Sequence, residues 1–187
     1  LWFADNRGPV VYVVDVDDGT LLDWWSGYTY TRGEGEPQPE PSYGVAAFYR
    51  VNENNVWAGE PLGHRTVAFD PETKVASIII GEESDGYKGG FLTVNDFVPV
   101  KDGDGIIVVD NGLGTLQVFS PEGKYMYHIG EEEAKADPKT DNERPVQFYG
   151  AFANLFYDAD GNLWWEVFRK KMYSVRKLSP DVVTIKE

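Results

Sequence analysis

The sequence predicts an all-β protein built from copies of one four-stranded unit, arranged as the blades of a β-propeller. Three observations carry this. A fixed order of short apolar runs and Gly- or Pro-containing turns recurs at roughly 50 residues, the sign of a copied supersecondary unit. The runs are β-branched or aromatic and are bounded by Gly, Pro, Asn and Asp, which is the strand signal. No segment keeps a helical period over a dozen residues; only Glu131 to Ala136 suggests a single helical turn.

The clearest copy is GIIVVDNGLGTLQVFSPEGKYMYHIG, from Gly105 to Gly130. One apolar run ends in Asp110 and a Gly-containing loop follows. A second run ends at Ser120, and the turn Ser120-Pro121-Glu122-Gly123 leads into a third. Leu1 to Trp25 repeats this as LWFAD, NRGP, VVYVVD, VDDGT and LLDWW. Asn55 to Ile80 repeats it as NVWAG, EPLGH, RTVAFD, PETK and VASIII. Leu163 to Ile185 repeats it as LWWEV, a basic loop, YSVRKLSPD and VVTI. The middle run of each copy ends at Asp15, Asp70, Ser120 and Ser179, spacings of 55, 50 and 59 residues.

Val45 to Val51, Phe91 to Val100 and Phe148 to Tyr157 each precede a copy and complete a unit of strands a, b, c and d, from inner to outer. The expected blades are 1–26, which begins at strand b, then 44–82, 91–130 and 147–187. Asp102-Gly103-Asp104-Gly105 and Asp158-Ala159-Asp160-Gly161-Asn162 suit a–b hairpins, because Gly and Asn accept positive φ. Pro71, Pro121 and Pro180 sit early in c–d turns, where a fixed φ helps. Four short strands repeated in this way read as propeller blades.

Two stretches sharpen this into a resemblance. VVDNGLGTLQVFSPEGKYMYHIG, from Val108 to Gly130, resembles an NHL repeat, and NLFYDADGNLWWEV, from Asn154, resembles the a–b hairpin of the same six-bladed superfamily. The resemblance implies architecture over nearly the whole chain and little about activity, because this fold hosts many unrelated functions. A six-bladed member needs roughly 250 to 300 residues at this repeat length. The expectation is therefore a partial chain. An open or four-bladed variant, or a ring completed by another chain, are the other readings. An incomplete ring leaves sheet edges that invite strand addition or self-association.

The 187 residues contain no Cys, which excludes disulfides and thiolate metal sites. No apolar run reaches the length of a membrane-spanning helix, and no signal-peptide pattern remains in the chain. A secreted or periplasmic location is the expectation. The formal charge of −14 argues against nucleic-acid backbone binding, which needs a positive footprint. Aromatics make up 14% of residues, and most of them serve as packing between blades.

In a propeller the d–a and b–c loops share one side, and the a–b and c–d turns share the other. Here Ser26 to Tyr43, Glu82 to Gly90 and Glu131 to Gln147 make long d–a loops. Ligand contacts are therefore expected on the d–a/b–c side, since binding residues gather on long loops held by a rigid scaffold. The candidates are Arg7, Tyr28, Tyr30, His64 and the basic run Arg169, Lys170 and Lys171, which falls in the fourth b–c loop. Within the first of these loops, Pro37-Gln38-Pro39-Glu40-Pro41 is expected to be extended and polyproline-like.

Aligning the DGDG and DADG turns places Asn95 opposite Asn154, each early in an inner strand. The gluconolactonase/senescence-marker group is similar in carrying Asn and Asp there around a divalent ion. That resemblance implies Asn95 and Asn154 as oxygen ligands for Ca²⁺ or Mg²⁺, with Asp96 directed the other way. The second blade offers only Ala46 or Ala47 at this position, and no acidic ligand is identifiable. No cofactor is expected beyond such a Ca²⁺ ion. DVDDGT, KDGDG and DADGN lack EF-hand spacing and read as tight turns.

The first reading is a non-enzymatic module that recognises a protein or glycan through the d–a/b–c face. A metal-dependent lactonase-like hydrolase with a site in the central channel, and a structural subunit joined through open blade edges, are the alternatives. No complete catalytic constellation is present in the sequence, so an enzyme is not the first choice.

Overall fold

The computed structural model describes residues 1–4, 8–81, 89–100, 105–110, 115–129, 154–169 and 172–178. Blade one is the antiparallel sheet β1 (Trp2–Ala4), β2 (Val11–Val14) and β3 (Leu21–Trp25), joined in chain order. These are the three runs expected as strands b, c and d.

The next element departs from expectation. Ser26 to Tyr43 is not an open loop: β4 (Gly27–Tyr30) and β5 (Gln38–Pro41) form an antiparallel hairpin. β4 also pairs in parallel with β9 (Val75–Ile80), the outer strand of the second blade. The proline-rich segment is thus a paired strand. β5 lies at the edge of its sheet, where a residue without an N–H does not break a ladder on both sides.

Blade two adds β6 (Ala47–Asn52), β7 (Asn55–Glu60), β8 (Arg65–Phe69) and β9, so the whole sheet runs β5-β4-β9-β8-β7-β6. Blade three is β10 (Val94–Pro99), β11 (Ile106–Asp110), β12 (Thr115–Phe119) and β13 (Tyr125–Ile129). Blade four is β14 (Leu155–Tyr157), β15 (Leu163–Arg169) and β16 (Met172–Leu178). Its expected outer strand VVTI lies outside the described residues, as does the single helical turn suggested at Glu131 to Ala136. β10 lies beside β6 and β7 on one side and β14 on the other, as inner strands gathered about one axis do. The fold is all-β and of propeller type.

Period-two alternation builds the packing. In blade three, Ile106, Val108 and Phe119 pack with Trp57, Ala68 and Ile80 of blade two. Their neighbours Ile107, Val109, Leu116 and Val118 point the other way, onto Leu155 and Leu163 of blade four. β11 and β12 are buried on both faces, which is why they read as unbroken apolar runs. Between blades one and two, Val11 and Trp25 meet Val56, Val67 and Phe69. Fully burying a side chain such as Phe69, Phe91 or Phe119 is worth about 1.5–3 kcal/mol, so these cores hold the blades together.

Candidate functional site

On the d–a/b–c side, the sequence candidates are drawn into the scaffold. Glu60 ends β7 and Arg65 begins β8, on either side of a short 3₁₀ turn at Pro61–Gly63. The Arg65 guanidinium donates to Glu60 at 2.6 Å, to Glu40 of β5 at 2.5 Å and to the Pro41 carbonyl at 2.5 Å. It also stacks on the Tyr43 ring, 4.7 Å from the centroid. The Tyr28 hydroxyl donates to the other Glu60 oxygen at 3.1 Å. Burial, followed by the Glu60 charge, pushes the Tyr28 hydroxyl well above its usual range. Burial alone would lower Arg65; the two glutamates more than offset this and hold it above its ordinary value. Tyr28 is buried, so it fastens the hairpin rather than presenting a surface.

His64 follows the 3₁₀ turn with φ 52°, and its Nδ1 bonds the Leu92 carbonyl. That contact ties the second blade's b–c loop to the start of the third blade. Asp110 and Gln117 complete the anchorage: the Asp110 carboxylate accepts the amides of Leu92 and Thr93 at 2.9 and 3.1 Å. Gln117 accepts from the Gly89 amide and donates to the Gly90 carbonyl. Tyr30 is half-buried, with the Arg32 guanidinium 6.0 Å from its ring centroid. Arg7, Lys170 and Lys171 lie outside the described residues. The sequence places Arg169 in a loop; instead the β15–β16 ladder runs on to it, and it pairs with Met172 as the last residue of β15.

The proposed equivalence of Asn95 with Asn154 does not follow the strand register. Pro99 pairs with Ile106 and Tyr157 with Leu163, so the a–b link is one residue longer in blade three. Counting back along each strand sets Asp96, not Asn95, level with Asn154. Asn95 falls at a bulge between Val94 and Asp96. Nor does Asp96 sit idle. Its two oxygens accept the amides of Phe97 at 2.9 Å and of Leu155, across the blade boundary, at 2.8 Å. Burial raises its carboxyl above the ordinary range, and the two amides oppose that rise. Asn154 is exposed and donates to Glu166 at 2.8 Å. Among the described residues, no three His, Asp or Glu side chains converge.

A cleft opens on the opposite side, between blades two and three. It measures about 370 Å³ and is lined by residues including Tyr49 and Trp57 of blade two, Pro99, Ile106 and Pro121 of blade three, and Tyr157 of blade four. Asn55, beside the β6–β7 turn, also lines it. The Tyr157 hydroxyl donates to the Pro99 carbonyl at 2.9 Å and fixes that wall. The described lining holds no carboxylate, imidazole, amine, hydroxymethyl or thiol. Such a surface can stack and hydrogen-bond a ligand; it has no group to serve as base or nucleophile beyond tyrosine. Sequence reasoning missed this site because its walls come from different copies of the repeat. The one available signal was the aromatic content of the inner runs.

No family model matches the chain, and no curated protein matches its sequence. Among solved structures it is similar to a Bacteroides caccae protein of unknown function, with a TM-score of 0.57 and 12% identity over 96% of this chain and 54% of that one. It is also similar to a candidate exported protein of Bacteroides fragilis, with a TM-score of 0.52 and 14% identity over 80% of this chain and 38% of that one. The β-propeller domain of Myceliophteria thermophila Cps50 (Swd1) has a TM-score of 0.48 and 13% identity over 98% of this chain and 53% of that one. The chain therefore spans little more than half, or less, of the length of these structures. At such identities the likeness concerns the fold alone. No helix among the described residues is long and apolar enough to cross a membrane.

Proposed function

We propose that this chain is a non-enzymatic binding module that takes an uncharged saccharide unit of a glycan in the cleft between blades two and three. The described lining carries the reading: Tyr49, Trp57 and Tyr157 with two prolines and one carboxamide, and among the described residues no acid, base or strong nucleophile. The C–H face of a sugar ring bears slight positive charge and suits the negative face of an aromatic ring. Asn55 can both donate to and accept from hydroxyls. The cleft falls in the range of small-ligand sites, and the charge of −14 disfavours anionic ligands. The ligand face thus moves away from the d–a/b–c side, where Tyr28 and His64 are engaged in holding the scaffold. A secreted or periplasmic setting belongs to the same reading, and the candidate exported protein of Bacteroides fragilis is in keeping with it.

The test is calorimetric titration with a panel of neutral oligosaccharides, followed also by tryptophan fluorescence. Saturable binding is expected. Tyr49→Ala is expected to weaken it about tenfold, equivalent to about 1.4 kcal/mol, with an unchanged circular dichroism spectrum. Chelator should leave binding intact. Failure of every saccharide, or full binding by Tyr49→Ala, overturns the proposal. Specific capture of a peptide at the same cleft would replace it with protein recognition.

A further inference from the structure

Blade two meets the cleft with its β6–β7 hairpin. Tyr49 and Trp57 stand opposite each other there, and Val51 and Asn55 lie beyond them on the turn side. All four line the cleft. The ladder is interrupted beside them: Arg50 pairs with Val56 and Asn52 with Asn55, so Val51 is an extra residue with no partner opposite. Bulges of this kind re-aim a side chain and gather next to active sites.

Two of the four side chains have contacts still to make. Val51 is 45% exposed, whereas Val100 and Ile106 are 3% and 2% exposed and already covered. Of the branched aliphatic side chains in the described lining, Val51 alone keeps surface for a ligand to cover. The Asn55 Oδ1 is buried and has no hydrogen-bond partner among the described residues. A buried acceptor without a donor is costly to keep. The last torsion of an asparagine is soft, so the carboxamide can turn this oxygen to a ligand hydroxyl. One hairpin therefore offers, side by side, a ring to stack on, an apolar contact and a hydrogen-bond acceptor.

We propose that the cleft selects a deoxyhexose, a sugar that carries a methyl group where a hexose carries its hydroxymethyl. The inference rests on the saccharide reading and names the sugar class. The C–H face of the ring stacks on Tyr49, the methyl group covers Val51, and one ring hydroxyl donates to the Asn55 Oδ1. Hydroxyls turned to the mouth of the cleft keep their water. A hexose in the same pose sets its hydroxymethyl oxygen against Val51, where it loses water and gains no partner. An acetamido sugar also carries a methyl group, but it brings an N–H and a carbonyl that each need a partner.

Calorimetry with matched methyl glycosides tests this. Fucose is set against galactose and rhamnose against mannose, each pair in one absolute configuration, so that the partners differ only in that hydroxyl. The deoxy member of at least one pair is expected to bind about tenfold more tightly than its hexose. Val51→Thr keeps the branched shape and adds a hydroxyl. At this exposed position it is expected to keep the wild-type circular dichroism spectrum and to lose most of the preference. Asn55→Ala is expected to weaken both members of the pair about equally, because the hydroxyl that Asn55 receives is common to both. Hexoses that bind as tightly as their deoxy partners, with Tyr49→Ala still weakening them, overturn the inference and leave the saccharide reading standing. A preference unchanged in Val51→Thr overturns it as well, as does undiminished binding by Asn55→Ala or tighter binding of an N-acetylhexosamine glycoside. If no neutral saccharide binds, the saccharide reading falls and the inference falls with it. Should Val51→Thr lose its fold, saturation transfer from the protein's methyl protons decides the matter: a sugar methyl that receives no more than the ring protons overturns the inference.

Discussion

Asp158 closes the turn between β14 and β15 almost single-handedly. Its Oδ1 accepts the amides of Asp160 and Asn162 at 3.0 and 2.8 Å, and its Oδ2 accepts the Trp164 indole N–H at 2.7 Å. The indole bond and then the Asn162 side chain hold the carboxyl below its ordinary 3.8, down to about 2. A carboxyl lowered in the folded state stabilises the fold above its ordinary value, and that contribution is lost as pH falls through the folded value. Urea stability is therefore expected to decline as pH drops from 3.8 towards about 2. Asp158→Asn should flatten that slope in the same titration, and an unchanged slope would refute the assignment. The DADGN stretch is thus a turn held by its own first carboxylate. DVDDGT behaves alike, with Asp15 and Asp18 accepting the amides of Asp17 and Thr20.

The hairpin β4–β5 is the element that departs most from its sequence. Isolated two-stranded hairpins are marginal in water, and this one persists because β9 pairs with β4 and Arg65 grips β5. The Arg65 side chain is 6% exposed and that of Glu60 is fully buried, so removing the cation leaves a buried carboxylate uncompensated. Arg65→Ala is expected to cost about 3–5 kcal/mol in urea unfolding. Replacing Arg65 and Glu60 together by Met should cost far less, because neither charge is then buried alone. Hydrogen exchange should register the loosened clasp first at the Thr29 amide, which bonds the Lys74 carbonyl at 2.9 Å. Equal losses in the single and double variants would show that the hairpin does not depend on charge pairing.

Across the molecule, the boundary between blades three and four combines apolar packing with two directional bonds, from the Leu155 amide to Asp96 and from Tyr157 to Pro99. Asp96→Ala strands two backbone amides and is expected to cost about 1–3 kcal/mol. Exchange at Leu155 should quicken while the amides of blade two keep their protection. Uniform quickening throughout would mean that the blades unfold as one unit. The raised Asp96 carboxyl works against the fold as pH rises through its folded value, opposite in sign to Asp158, so the variant should lose least near neutrality.

The strands were legible because each obeys a local rule. VASIII is β9 from end to end, RTVAFD contains β8, and the three runs of LWFAD to LLDWW are β1 to β3. Apolar residues between Gly, Pro and Asp turns need no distant partner to declare themselves. The site was not legible, because its decisive relations are between blades. One extra residue in an a–b link moved Asp96 into the place assigned to Asn95. Tyr28 and His64 looked like surface contacts until Glu60 and Leu92 were brought against them from other segments. The sequence by itself determined the repeat, the strands and the turns, through backbone preference and period-two burial. Only the tertiary structure decided which strand the hairpin joins, which side holds the cleft and which polar groups are spent inside. Those outcomes depend on how sheets distant in sequence come to face one another.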